Sequence, residues 1–232
     1  MDRYANEIKA TLLKSADNKT KEKVLRLTSG AKCIGVTIPR IRSLAKAFKQ
    51  KYSTLTIEKL CAIMDEICKE KCREEILFGV FLIAGFKKIL LAVPWTKIDS
   101  WLNVLDNWET CDQLSSNIVT PIIVNNISLI DKLKPLAQSS NLWKRRFAAA
   151  TAANINHGGK QFPKQTLAIC KILLTDKEIM VTKAVGWALR EISKKTPDLV
   201  FDFLKTNKKY ISEMLMKESS EKLNKNQQKE LK

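Results

Sequence analysis

The sequence predicts an all-α fold, read as an α-solenoid of stacked antiparallel helix pairs, and three observations lead there. Apolar residues recur at helical spacing in one segment after another. No stretch alternates as a strand between turn signals. Seven Gly and six Pro are few for 232 residues, which argues against a turn-rich β-protein. Short connectors between mid-length helices favour antiparallel neighbours, although no strict sequence period marks the repeats. Stacked pairs of this kind form a curved superhelix. Lys and Arg along its concave wall would make a basic groove that tracks a phosphate backbone.

The elements follow in order. Thr37-Ile38-Pro39 reads as an N-cap followed by an early proline, and it leads into a helix with Ile41, Leu44, Ala45 and Phe48 on one stripe. Thr56 caps a second helix along Leu60, Ile63, Met64 and Ile67. The stretch from Arg73 to Phe86 is apolar almost all round, as expected of a helix covered on several sides. Further helices are expected near 97–106, 108–125, 127–138, 141–155, 164–174, 177–195 and 197–205, with Pro121 bending or interrupting one and Pro135 another. The expected organisation is a single domain over 1–218. A polar C-terminal tail, 219–232, closes the stretch KESSEKLNKNQQKELK, which should fray.

Charge narrows the class of partner. Forty-one Lys and Arg against 24 Asp and Glu give a net charge of +17, a balance that attracts polyanions, nucleic acid first and an anionic membrane surface second. No long basic amphipathic helix with exposed aromatics supports the membrane reading. The N-terminal stretch MDRYANEIKATLLK lacks the apolar region of a secretory signal. The apolar run from Ile76 to Phe86 is too short to span a bilayer. An intracellular protein is therefore expected, in the cytoplasm or nucleoid, or in the nucleus of a eukaryote. The six cysteines read as reduced, buried thiols. Cys68 and Cys72 stand four apart on one apparent helix, but a single histidine, His157, and the lack of a CxxC pair argue against zinc. Neither metal nor cofactor is expected, and a monomer is, since a basic groove for a polyanion needs no second copy.

Three short stretches carry candidate chemistry. In NWETCDQL, Trp108 and Asp112 share a helix face one turn apart. A carboxylate there can stabilise developing positive charge or hold a water, and an indole face attracts a cation. The plainer reading is a capping Asp beside a core Trp. In NLWKRRFAAATAA, Trp143 and Phe147 face the core. Lys144, Arg145 and Arg146 crowd positive charge at a helix start, against the macrodipole. A guanidinium there can hold two phosphate oxygens or pair with Asp112, and the plainer reading is a solvated charged face. In TKAVGWALREISKKTPD, Lys183 and Trp187 share a face and Arg190 follows. Gly186 inside a helix signals close approach of another helix or of a ligand. Arg190 fits phosphate contact and pairing with an acidic neighbour equally well.

These stretches, in this order, resemble the AlkD family of DNA alkylpurine glycosylases. The matching motifs are W-x-x-x-D at Trp108 and Asp112, W-x-R-R from Trp143 to Arg146, and K-A-x-G-W-x-L-R from Lys183 to Arg190. A fourth is the G-V-x-x-P-x-x-R-x-L-A-K segment that starts at Gly35. Just before it, Cys33-Ile34 stand where family members often carry an aromatic. The resemblance spans roughly residues 5 to 205. It implies HEAT-like repeats that hold duplex DNA containing alkylated bases. It also implies excision of cationic N3- or N7-alkylated purines, such as 3-methyladenine and 7-methylguanine, with the lesion left stacked rather than flipped. By motif position, the resemblance assigns Asp112 the catalytic carboxylate and Trp108 and Trp187 the aromatic contacts. Arg146 is assigned the phosphate and Asp partner, and Lys144, Arg145, Lys183 and Arg190 are the candidate DNA-binding residues. The competing reading is a non-catalytic helical-repeat scaffold for nucleic acid or an acidic protein, which explains the charge without Asp112.

Overall fold

The computed structural model describes residues 3–28, 31–157 and 161–231, and among them every regular element is helical. The chain divides into two compact units, Met1–Ile122 and Ile123–Lys232, a division the sequence does not signal near residue 122.

The first unit contains α1 (Arg3–Leu13), α2 (Asn18–Leu27), α3 (Ile38–Lys51), α4 (Ile57–Cys68), α5 (Arg73–Gly85), α6 (Trp95–Leu102) and α7 (Trp108–Leu114). Its stacking follows from α5, whose buried residues lie on every side from Arg73 to Ile83. A helix with no polar face must be covered from several directions. Here α3 and α4 lie against α5, and α7 packs on it in turn. In the row α3, α5, α7 each helix thus packs on the helix two places along, while α4 also covers α5, which is how stacked helix pairs build a continuous core. Thr56 caps α4 by accepting the Lys59 N–H at 3.4 Å. Thr37 takes the extended cap conformation before α3, but its side chain makes no capping bond and Pro39 sets the first turn.

The second unit opens with the end of α8 (Thr120–Asn125). It continues through a 3-10 turn (Ile127–Lys132), α9 (Leu133–Ala137), α10 (Leu142–Asn154), α11 (Pro163–Ile172), α12 (Ile179–Ser193), α13 (Pro197–Thr206), α14 (Glu213–Ser220) and α15 (Lys225–Leu231). The same row appears, with α10 on α12 and α12 on α14. α10 can sit deep because its middle is nearly all alanine: Phe147, Ala148, Ala149, Ala150, Ala152 and Ala153 are wholly buried.

Several sequence expectations are corrected. The segment expected as one helix over 108–125 is three pieces, α7, a π-helical turn (Ser115–Val119) and α8. Pro121 has no N–H to donate, and just before it the helix widens so that the Thr120 N–H reaches the Ser115 carbonyl five residues back. Pro135 likewise marks a break, since 127–132 winds as 3-10 and only 133–137 is α-helical. Cys68 and Cys72 do not share a helix: Cys68 ends α4 and Cys72 is the N-cap of α5. All six cysteines are buried free thiols, and burial pushes Cys68, Cys72 and Cys170 up to about 12. The stretch expected to fray instead carries α14 and α15, with Ser219, Leu223 and Leu231 buried. No helix among the described residues is long and apolar enough to cross a membrane.

Candidate functional site

The candidate residues lie on the same kind of row in each unit: Trp108 and Asp112 on α7, Lys144 to Arg146 on α10, and Lys183 to Arg190 on α12.

In the first unit, α7 begins where Asn107 accepts the N–H groups of Glu109 and Thr110 at 3.1 and 3.0 Å. Cys111 and Leu114 anchor its inner face, which leaves Trp108 and Asp112 half-buried. The Trp108 indole N–H donates to the Leu27 carbonyl at 2.8 Å, so the ring is pinned across the end of α2. The next residue, Glu109, pairs with the Arg73 guanidinium, which also donates to the Val36 carbonyl at 3.1 Å and to Glu74 at 2.9 Å. Glu74 is fully buried. Its carboxylate accepts three successive backbone N–H groups, those of Ile34 at 2.8 Å, Gly35 at 3.0 Å and Val36 at 3.2 Å. One buried charge cluster therefore ties the 34–36 loop, α5 and the start of α7 together. It holds Trp108 and Asp112 on a backbone with little freedom to shift. The π-helical turn follows directly, a feature frequent at functional sites.

Sequence reasoning missed this cluster because Arg73 and Glu74 read as charges bounding an apolar run. The signal was present, since acids in a first turn are ordinary but an Arg before them is not. A second missed residue is Arg42 on α3, whose guanidinium lies over the Phe81 ring at 3.9 Å and donates to Gln113 at 2.9 Å.

In the second unit, the three basic residues of α10 have different roles. Arg145 donates to both oxygens of Asp176, at 2.6 and 3.4 Å, and to the carbonyls of Ser139 and Ser140, both at 2.9 Å. Its guanidinium stitches the start of α10 to the loop before α12. Arg146 is buried and donates to the Met180 carbonyl at 2.6 Å, which joins α10 to the first turn of α12. Lys144 has no carboxylate partner among the described residues, and neither does exposed Lys183. Of the candidate cations Lys144, Arg145 and Lys183, the two lysines thus stand without a carboxylate among the described residues, while Asp176 takes up Arg145. Arg190 pairs with Glu218 at 2.9 Å and Glu221 at 3.0 Å, the acidic-neighbour alternative. Gly186 admits a helix rather than a ligand: a Cβ there would stand 2.6 Å from Glu218 Cβ on α14. Trp187 is half-buried, with its indole N–H donated to Glu191 at 3.1 Å. Among the described residues, no group of His, Cys, Asp and Glu is placed to hold a metal ion.

With that geometry in view, the comparisons with known proteins converge. The profile of the family described as DNA alkylation repair enzyme matches residues 8–223. A solved structure described as a predicted DNA alkylation repair enzyme from Enterococcus faecalis has a TM-score of 0.76 at 18% identity, covering 91% of this chain and 98% of that one. AlkD2 from Streptococcus mutans follows the same fold with a TM-score of 0.63 at 23% identity, over 88% of this chain and 99% of its own. The smu.31 protein from Streptococcus mutans UA159 does so with 0.59 at 22%, over 81% and 99%. No curated protein matches the sequence significantly.

Proposed function

The chain belongs to the family of DNA alkylation repair enzymes, and we propose that within it this protein is a glycosylase that hydrolyses the N-glycosidic bond of cationic N3- and N7-alkylated purines in duplex DNA. The observation that carries the reading is the pairing on α7. A half-buried carboxylate, Asp112, stands one turn from an indole, Trp108, whose N–H is fixed on a backbone carbonyl.

The chemistry suits one carboxylate. An alkylated purine already bears positive charge, so it departs without protonation, and the second carboxyl group of an ordinary glycoside hydrolase becomes unnecessary. As the bond breaks, positive charge builds on the deoxyribose. A preorganised anion beside C1′ lowers that barrier without reorganising as the charge forms. Asp112 supplies the anion and orients the attacking water, while Trp108 offers a ring face to the same cation. Trp187 and Arg146 keep the roles that the motif resemblance gives them, as a sugar contact and a phosphate contact. Lys144 and Lys183 are the proposed phosphate-neutralising residues.

The reading is tested by incubating the purified protein with matched duplexes carrying 7-methylguanine, uracil or hypoxanthine and identifying free bases. Release of 7-methylguanine but not of the two neutral bases is expected. Salt-sensitive binding with no base released from methylated DNA would favour the scaffold reading instead.

A further inference from the structure

Trp187 does not stand alone on α12. One turn further along, Glu191 is 8% exposed, and three side chains converge on its carboxylate. The indole N–H of Trp187 reaches Oε1 at 3.1 Å. The Lys194 ammonium lies 2.8 Å from Oε1 and 2.7 Å from Oε2. His157, the one histidine of the chain, brings Nε2 to 3.1 Å from Oε2. The imidazole ring also lies 5.9 Å from the indole ring, inclined at 54°. Burial opposes the charge on Glu191, but the hydrogen bond from Lys194, the proximity of His157 and the indole bond outweigh it and hold the carboxyl below its ordinary value.

A half-exposed indole needs no such arrangement for stability, because water satisfies its N–H at no cost. What the carboxylate adds is orientation: it fixes the ring of Trp187 in one rotamer before any ligand arrives, with His157 against it and Lys194 holding the acceptor in place. Arg190, the residue before Glu191, is paired with Glu218 and Glu221 and makes no ion pair with Glu191. We infer that Glu191, braced by Lys194 and His157, is the positioning residue that presets Trp187 for its contact with the lesion-bearing strand. This rests on the glycosylase reading and adds to it a residue that no motif assigned.

The test is a double-mutant cycle on the single-turnover rate of 7-methylguanine release. Trp187→Phe keeps a ring but deletes the N–H, and Glu191→Met keeps the bulk but deletes the acceptor. Each should slow release about tenfold, a fraction of the hundredfold that a misplacement of about 1 Å can cost. The double variant should be no slower than either single one, since both remove the same contact. Glu191→Gln retains a carbonyl oxygen for the indole and should recover most of the rate. Multiplying rather than overlapping losses would overturn the inference, as would a Trp187→Phe variant that releases the base at the wild-type rate. The second result needs no change at the buried carboxylate and so survives any failure of Glu191→Met to fold. If the wild-type protein releases no 7-methylguanine, the glycosylase reading falls, and Glu191 loses its proposed task with it.

Discussion

Replacing Glu74 by Gln tests the physical account of the first unit most sharply. The carboxylate sits at zero exposure and is met by donors from every side: three backbone N–H groups of the 34–36 loop, the Arg73 guanidinium, and the Cys72 thiol at 3.7 Å. A carboxamide of the same size has one acceptor oxygen. If the oxygen faces Gly35, Val36 and Arg73, the amide nitrogen faces the Ile34 N–H, and donor opposes donor; flipping the group exposes the other three donors. Arg73 meanwhile loses half of its compensation and keeps only Glu109. Breaking a buried pair costs about 3–5 kcal/mol, and the surviving partner places this case at the low end, about 3 kcal/mol. For a chain of this size that lowers the melting midpoint by roughly 6–12 °C. Circular dichroism melts of wild type and Glu74→Gln at neutral pH measure it. A variant melting within about a degree of wild type would refute the claim that this carboxylate organises the loop.

Three further predictions follow from the same geometry. Gly186→Ala removes the helical penalty of glycine, about 1 kcal/mol, but forces a methyl against Glu218 Cβ, so urea unfolding should show net destabilisation of about 1 kcal/mol; a more stable variant would mean that α14 can give way. Burial raises the carboxyl of Glu75 above its ordinary 4.5, so the folded state holds that proton more tightly than the unfolded one, and its contribution to stability fades as pH rises through the raised value. Glu75→Gln should therefore stabilise the protein near pH 7 and confer no advantage below about 4.5, as read from melting midpoints across pH. Lys183→Gln should reduce the slope of log K against log salt for duplex DNA by about 0.9, whereas Arg145→Gln should leave the slope unchanged and cost about 3 kcal/mol of stability; a changed slope in the arginine variant would give Arg145 back to the phosphates.

How much of this was legible follows from what each signal depends on. Helical periodicity in α3 and α4, and the unbroken apolar run of α5, report local burial, so those elements and the all-α class could be read from one chain. The resemblance to the AlkD family was likewise readable from four short motifs in order. The π-helical turn before Pro121 was not, because only a proline was visible where the backbone had to choose between bending, breaking and widening. The structural partners of Arg145, Arg146 and Arg190 were not legible either. Adjacent arginines look alike in sequence, and their partners Asp176, the Met180 carbonyl and Glu218 are each 28 to 34 residues away. The C-terminal helices hid behind polar composition, since a few buried contacts at Ser219, Leu223 and Leu231 suffice to dock them. Trp187 and Glu191 stood four apart in plain view, but an i, i+4 pair acquires meaning only once His157 arrives from the end of α10.

The most direct measurement of the central claim compares wild type with Asp112→Asn on one alkylated duplex, reading the dissociation constant and the single-turnover rate of base release together. The account predicts that binding stays close to wild type while release of 7-methylguanine falls by about two to three orders of magnitude. Release at close to the wild-type rate from the asparagine variant would contradict it.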